Sequence, residues 1–224
     1  MKKLGCLFLF CAVAFPQVAE QANEAYKTKE GRASVAKNLV DPARDERQRP
    51  RDIVDQMGLQ PGQSVADVGT GVGFMLPYLS RAVGDKGTVY AEDIQQDFLD
   101  QARMRANTLN VTNVKFVLGT DRDPRLPANT LSGLVVLDVY HHFDYPEAML
   151  EHIRDSLVSD GKLVIVEYYK RRGAMPNGDP DRAIQHIRLD EDDLIREVVA
   201  NGFKVLDKHE LVPKSQYIVT FVKK

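Results

Sequence analysis

The stretch Val65-Ala-Asp-Val-Gly-Thr-Gly-Val-Gly-Phe74 places three glycines two apart, Gly69, Gly71 and Gly73, directly after a short apolar run, with Asp67 two residues before the first. Glycines there let a backbone approach a ligand closely and adopt φ > 0 where side chains would clash. An acid just ahead of them suits a ligand with a positive or hydrogen-donating end. A second acid, Asp93, closes the next apolar run, about where a carboxylate accepts hydrogen bonds from both hydroxyls of a ribose. Further on, Asp138-Val-Tyr-His-His142 gathers a carboxylate, a phenol and two imidazoles. Tyr140, His141 and His142 are the candidates for a general base, because such a group must titrate near working pH and histidine does.

Three competing chemistries can be weighed on the same residues. Dinucleotide binding needs Gly-x-Gly-x-x-Gly. Phe74 stands where its third glycine belongs, and Asp67 would repel a pyrophosphate. A metal site could draw on Asp138, His141, His142, Asp144 and His186. Adjacent histidines tend to diverge, however, and usable pairs share a face, as at i and i+4 of a helix. No metal is therefore expected. Lys170-Arg171-Arg172 could hold an anionic acceptor, but such runs are more often solvated loops.

These residues need a scaffold, and the pattern around them predicts one. Helical spacing starts at Pro50 and stops at Gly58. The first strand runs from Ser64 to Val68, and a helix follows over Met75, Leu76, Leu79 and Val83. The second strand spans Thr88 to Ala91 and ends at Glu92-Asp93, before a helix from about Gln95 to Leu109. Val114 to Leu118, Gly133 to Leu137 and Lys162 to Val166 are the third, fourth and fifth strands. An amphipathic helix, Pro146 to Val158, is expected to close at Asp160-Gly161. Apolar strands alternating with helices mean a parallel sheet covered on both faces. In such a sheet the ligand sits beyond the carboxyl ends of the strands. Near the end, Asp190 and Asp193 form a capping box for a helix to Ala200. Two consecutive strands follow, Lys204 to Leu211 and Gln216 to Val222. The segment Gly173 to Pro180, rich in turn formers, is a candidate substrate loop.

Composition narrows the partners. Hydrophobic content of 43% and charged content of 28% suit a soluble globular domain. A net charge of −2 leaves no basic footprint, so no nucleic-acid partner is expected. Lys2 and Lys3 precede an apolar run, Leu4 to Phe15, in the pattern of a secretory signal. The run is shorter than the roughly 20 apolar residues of a bilayer span, so no stable membrane span is expected after its removal. Export to the periplasm is the expectation; an uncleaved leader would leave the protein membrane-anchored or cytoplasmic. Cleavage could fall at Ala12-Val13-Ala14 or near Ala19. Both cysteines, Cys6 and Cys11, lie in the leader, so a processed chain has no thiol for disulfides, metals or nucleophilic attack. The expected organisation is a leader over 1–19, a polar extension with some helix over 20–48 that closes over the cofactor site or merely tethers the domain, and a catalytic domain over 49–224.

Taken together, Val65 to Gly73 and Gly87-Thr-Val-Tyr-Ala-Glu-Asp-Ile94 resemble motif I and the following motif of class I S-adenosylmethionine-dependent methyltransferases. Asn113 to Gly119, Val135 to His142, Leu157 to Leu163, and the closing Gly202-Phe203 resemble that family's later strands, over roughly residues 50 to 222. The resemblance is nearest to a bacterial subset carrying Asp-x-Tyr-His-His after the fourth strand and Gln-Tyr in the last hairpin, here Gln216-Tyr217. It implies an α/β fold: a doubly wound, seven-stranded, mostly parallel Rossmann-like sheet with an antiparallel C-terminal strand. It also implies S-adenosyl-L-methionine as cofactor. Gly69, Gly71 and Gly73 would line the methionine part and Asp67 would face its ammonium, directly or through water. Asp93 would hold the ribose, and Gly119-Thr120-Asp121 would reach the adenine, although many relatives carry Asp directly after the glycine. Asp138 would sit beside the methyl group, and Thr70 and Ile94 complete the cofactor-binding set. The implied activity is methyl transfer to a small-molecule acceptor. The alternative is an exported cofactor-binding or scaffold protein with weak or no transfer, since this cofactor is made in the cytosol.

Overall fold

The computed structural model describes residues 17–176 and 178–224; the predicted leader falls largely outside them. Seven strands form one sheet: β1 Ser64–Val68, β2 Thr88–Asp93, β3 Val114–Leu118, β4 Leu131–Leu137, β5 Leu157–Tyr168, β6 Phe203–Val212 and β7 Gln216–Lys223. Their order is β3-β2-β1-β4-β5-β7-β6. All pairings are parallel except those of β7, which runs antiparallel to both β5 and β6. The helices are α1 Lys29–Leu39, α2 Arg44–Gln48, α3 Pro50–Met57, α4 Leu76–Val83, α5 Gln96–Thr108, α6 Pro146–Ser156, α7 Arg182–His186 and α8 Glu191–Ala200. Among the described residues, no helix is long and apolar enough to cross a membrane.

Both faces of the sheet are covered because successive strand residues point to opposite sides. Ala66, Val68, Leu134, Val136, Leu163 and Ile165 pack under α6 and α8, while Val65, Val89, Val135 and Val164 pack under α3, α4 and α5. Local signals agree with this packing. Gly58 ends α3 in the left-handed conformation at φ 62, Pro77 falls in the first turn of α4, and Asp190 accepts the backbone N–H of Asp193 at 3.2 Å to cap α8. The edge strand β6 carries Lys204, Asp207, Lys208 and Glu210, all exposed, as an edge that must not pair with other chains should.

One element departs from the sequence expectation. The helix α6 stops at Ser156, and β5 begins at once with Leu157. Leu157 pairs with Leu131 ahead of a register shift. Asp160-Gly161 is thus part of an extended strand, where a Cβ on Gly161 would meet the Leu131 carbonyl oxygen at 2.7 Å. Long-range strand pairing overrides the local helix-stop signal.

Gly73 is a packing residue. Its φ is +81, and a Cβ there would lie 2.8 Å from Leu76 Cδ1 and 3.2 Å from Ala102 Cα on α5. Gly73→Ala should therefore lower stability by about 1–3 kcal/mol through overpacking, with roughly 1–2 kcal/mol more from the left-handed backbone. Urea unfolding measures this, and an unchanged midpoint would mean that α5 yields freely.

Candidate active site

The strand order reverses between β1 and β4, and a cavity of about 560 Å³ opens there. That is a small-molecule volume at the switch point of an open α/β sheet. Its floor is the glycine loop. Gly69 and Gly71 have φ of 70 and 54, and a Cβ on Gly69 would strike Val139 at 2.5 Å. Asp93 Oδ2 accepts the N–H of Gly71 at 2.9 Å and Oδ1 that of Gln95 at 2.8 Å, leaving lone pairs on both oxygens for two hydroxyl donors. Ile94, Thr120 and Asp121 continue the lining. Burial lifts the Asp93 carboxyl to about 6, against the pull of its two backbone donors. Beside it, Glu92 is buried and its carboxyl is pushed well above the usual range by burial and by Asp93.

Asp67 does not line the cavity. Its Oδ2 accepts the Thr70 hydroxyl at 2.7 Å, and Thr70 is the residue that reaches the surface. Burial raises its carboxyl to about 6. Gly73 is also absent from the lining, for the packing reason given above. The Thr70 hydroxyl thus stands between Asp67 and the cavity.

The opposite end of the cavity is built on β4 and β5. Asp138 is a non-glycine residue at φ 55, a conformation that persists only when its surroundings fix it. Gln48 Nε2 donates to its Oδ2 at 2.5 Å and Gln216 Nε2 to its Oδ1 at 2.6 Å. Burial and then Glu167 raise the Asp138 carboxyl to about 7. Next to it, His141 Nδ1 lies 2.6 Å from Glu167 Oε2, both groups being buried. This pairing leaves Nε2 of His141 as its free nitrogen. His142 Nδ1 sits 2.8 Å from Asn23 Oδ1, and burial holds its imidazole neutral, well below the usual range.

Of the three proposed bases, Tyr140 is in the wrong place. Its hydroxyl donates to Glu197 Oε1 at 2.7 Å, and its ring is part of the core under α6 and α8. A residue beside two histidines on the single 3-10 turn Tyr140–His142 faces away from them, which residue type alone does not reveal. The premise behind expecting no metal also fails. The adjacent rings of His141 and His142 do not diverge; their centroids are 4.1 Å apart, and His186 from α7 stands 4.8 and 5.3 Å from them. The basic run lies outside the cavity: Lys170 binds the Arg188 carbonyl at 3.0 Å, while Arg171 and Arg172 pair with Glu210 and Asp181 at 3.6 Å. Met175 and Pro176 of the turn-rich segment do line it.

The extension expected to close over the cofactor or merely tether the domain does line the cavity, but its polar site residues were not foreseen. Tyr26 stands edge-on to His142 at 4.8 Å and to Phe98 at 6.0 Å. Arg44 of α2 faces Asp138, Tyr168 and Asp67, is lowered in pKa by burial, and lies over the Phe74 ring at 4.3 Å. No carboxylate among the described residues lies within salt-bridge distance of Arg44. A guanidinium so placed suits a ligand carboxylate. Nothing in the pattern of residues 20–48 marks Asn23, Arg44 or Gln48, whereas Glu167 directly follows the fifth predicted strand and Gln216 belongs to the Gln-Tyr pair of the last hairpin.

The comparisons agree with this geometry. The Methyltransferase domain family matches residues 65–161. A SAM-dependent methyltransferase structure from Aquifex aeolicus superposes with a TM-score of 0.77 at 30% identity, over 85% of this chain and 98% of that one. A TehB-like SAM-dependent methyltransferase from Corynebacterium glutamicum, 18% identical, shares the fold at a TM-score of 0.62 over 86% and 100% of the two chains. Among curated proteins, the ubiquinone/menaquinone biosynthesis C-methyltransferase UbiE of Citrobacter koseri is 28% identical over 121 residues, 54% of this chain and 48% of that protein. The chain thus spans about half the length of the curated relatives it matches. It belongs to the SAM-dependent methyltransferases. S-adenosylmethionine is the cofactor this membership assigns to the cavity, and the glycine floor, the free lone pairs of Asp93 and the acid-rich walls fit its ribose and its positive charges.

Asp93→Ala should weaken S-adenosylmethionine binding by one to two orders of magnitude, about 1.5–3 kcal/mol for a lost charged hydrogen bond, as calorimetry would show. The ionised carboxylate can accept from both ribose hydroxyls and a protonated one accepts more weakly, so affinity should be flat above neutrality and fall as pH drops through about 6. Asp93→Asn should remove that component, and equal pH profiles for the two proteins would exclude Asp93 from the site.

Proposed function

We propose that this protein transfers the methyl group of S-adenosylmethionine to a small-molecule acceptor seated beside His141. The observation that carries the reading is the buried Glu167–His141 contact of 2.6 Å in the same cavity as Asp93 and the glycine floor. The sulfonium is already activated, so transfer rests chiefly on holding the acceptor in line at roughly 3 Å. The acceptor atom bonds to the methyl carbon as the carbon–sulfur bond breaks and its electrons return to sulfur. Where the acceptor must lose a proton, Nε2 of His141 takes it, with Glu167 stabilising the imidazolium that forms. The UbiE relatives are named for C-methylation in quinone biosynthesis, which makes quinol-type aromatics the first acceptors to assay. Fold alone cannot settle the reaction, since the [4+2]-cyclase SpnF shares it at a TM-score of 0.66 and 17% identity.

We also propose that the leader is cleaved before residue 17. Val18 and Ala19 donate backbone N–H groups to Asp144, at 3.2 and 3.3 Å, and Ala19 is buried. This supports the Ala12-Val13-Ala14 position, because cleavage near Ala19 would remove a docked strand of chain. N-terminal sequencing of periplasmic and cytosolic fractions checks it, and an intact Met1 in the cytosol would overturn export.

His141→Asn should lower the transfer rate by about 10²–10⁴-fold, the usual contribution of a general base, with cofactor affinity within a factor of about two of the parent. Equal rates would remove His141 from the chemistry. No detectable heat with S-adenosylmethionine at millimolar concentration would sink the whole reading and favour a scaffold role.

A further inference from the structure

His141, His142 and His186 converge from two separate segments, and one ring nitrogen from each lies within 4.8 Å of the other two. We propose that they form a binding site for one divalent transition-metal ion of the zinc class. Three imidazoles with an open side are a common donor set for such ions. With metal–nitrogen bonds of about 2.0–2.1 Å, a tetrahedral ion needs the nitrogens roughly 1–1.5 Å closer than their widest separation here. His186 ends the five-residue helix α7 and is half-buried, so rotation of its side chain can supply that movement.

The support around the ring nitrogens is what separates a metal site from three packed imidazoles. Ligating histidines hold their second nitrogen to a carboxylate or a carbonyl oxygen, which fixes the tautomer and the ring plane. Glu167 does this for His141 at 2.6 Å, and the Asn23 amide oxygen does it for His142 at 2.8 Å. The Asn23 amide nitrogen also donates to the His142 carbonyl at 3.0 Å, locking the residue from two directions. Both histidines are thereby left with Nε2 as the available lone pair. The Tyr26 hydroxyl stands 3.5 Å from Nε2 of His142. All three histidines line the cavity, so the remaining coordination positions open toward the acceptor. An oxygen-donor acceptor is the class that could fill them, a point that rests on the methyl-transfer reading, as metal binding itself does not. With an ion bound, Nε2 of His141 would be a ligand and the metal would lower the pKa of a coordinated acceptor; the base role of His141 belongs to the metal-free protein.

The test uses tag-free full-length protein carrying Cys6→Ser and Cys11→Ser, stripped with chelator, and titrated with Co²⁺ by visible absorption and with Zn²⁺ by calorimetry. One ion per chain, bound at micromolar affinity or tighter, is expected. His186→Ala and His142→Ala should each weaken binding by about 100-fold or more, and Glu167→Gln by about 10–100-fold. His209→Ala, which removes an exposed imidazole paired with Asp207, should change nothing. Thermal unfolding and S-adenosylmethionine affinity report whether each variant is folded; if His186→Ala is not, His186→Asn takes its place. No saturable binding, or binding indifferent to the His142 and His186 substitutions, would overturn the site. Either result with intact cofactor binding leaves the methyl-transfer reading standing.

Discussion

Asp67, Glu92, Asp93 and Glu167 are buried at the carboxyl ends of neighbouring strands, and Asp138 joins them half-buried at the end of β4. Bringing so many acids together out of water is costly, and their carboxyls respond as burial dictates: Asp67 and Asp93 rise to about 6 and Asp138 to about 7. What makes the cluster tolerable is a ring of uncharged donors. Thr70, the N–H groups of Gly69, Gly71 and Gln95, and the amides of Gln48 and Gln216 each take a carboxylate oxygen. A ligand bringing a sulfonium and an ammonium supplies the positive charge that these donors lack. The site is thus complementary to a cationic cofactor before any single contact with it is considered.

The same constraint explains the N-terminal extension. Gln48 and Arg44 of α2 reach into the acid cluster, while Asn23 and Tyr26 meet the histidines. The extension thereby closes the cavity with polar contacts, and its own apolar anchor is small: Ala36, Leu39 and Tyr26 against Val72 and Phe98. An element held by few buried apolar contacts opens at low free-energy cost. That property suits a cover over a site that must exchange cofactor and product.

How much of this was legible in the sequence depended on range. Ser64–Val68 and Val114–Leu118 match the strands read from apolar runs, and Gly58, Pro77 and the Asp190 cap sit where local stereochemistry puts them. Asp93 and Asp138 were found because strand ends define the site of an open sheet. What failed was what distant partners decide. The end of α6 moved because Leu157 pairs with Leu131. Tyr140 left the site because Glu197, far along the chain, takes its hydroxyl. Gly73 proved to serve α5 and not the ligand. His186 could not be placed at all, since α7 is a short helix in an irregular stretch with no periodic signal.

The two ends of the cavity therefore differ in kind. The end built on β1 and β2 uses backbone donors and carboxylates set by local motif, and it is the part a fold of this type must share to bind one cofactor. The end built on β4, β5 and α7 uses side chains fixed by long-range contacts: Glu167 on His141, Asn23 on His142, Gln48 and Gln216 on Asp138. Under the proposed function, acceptor specificity would arise there, because His141, His142 and His186 line that end of the cavity. Burial and mutual repulsion keep His142 and His186 uncharged, His186 down to about 4. Neutral nitrogen lone pairs stand there beside the acids Asp138 and Glu167, so under the proposed function that end would favour acceptors that donate protons.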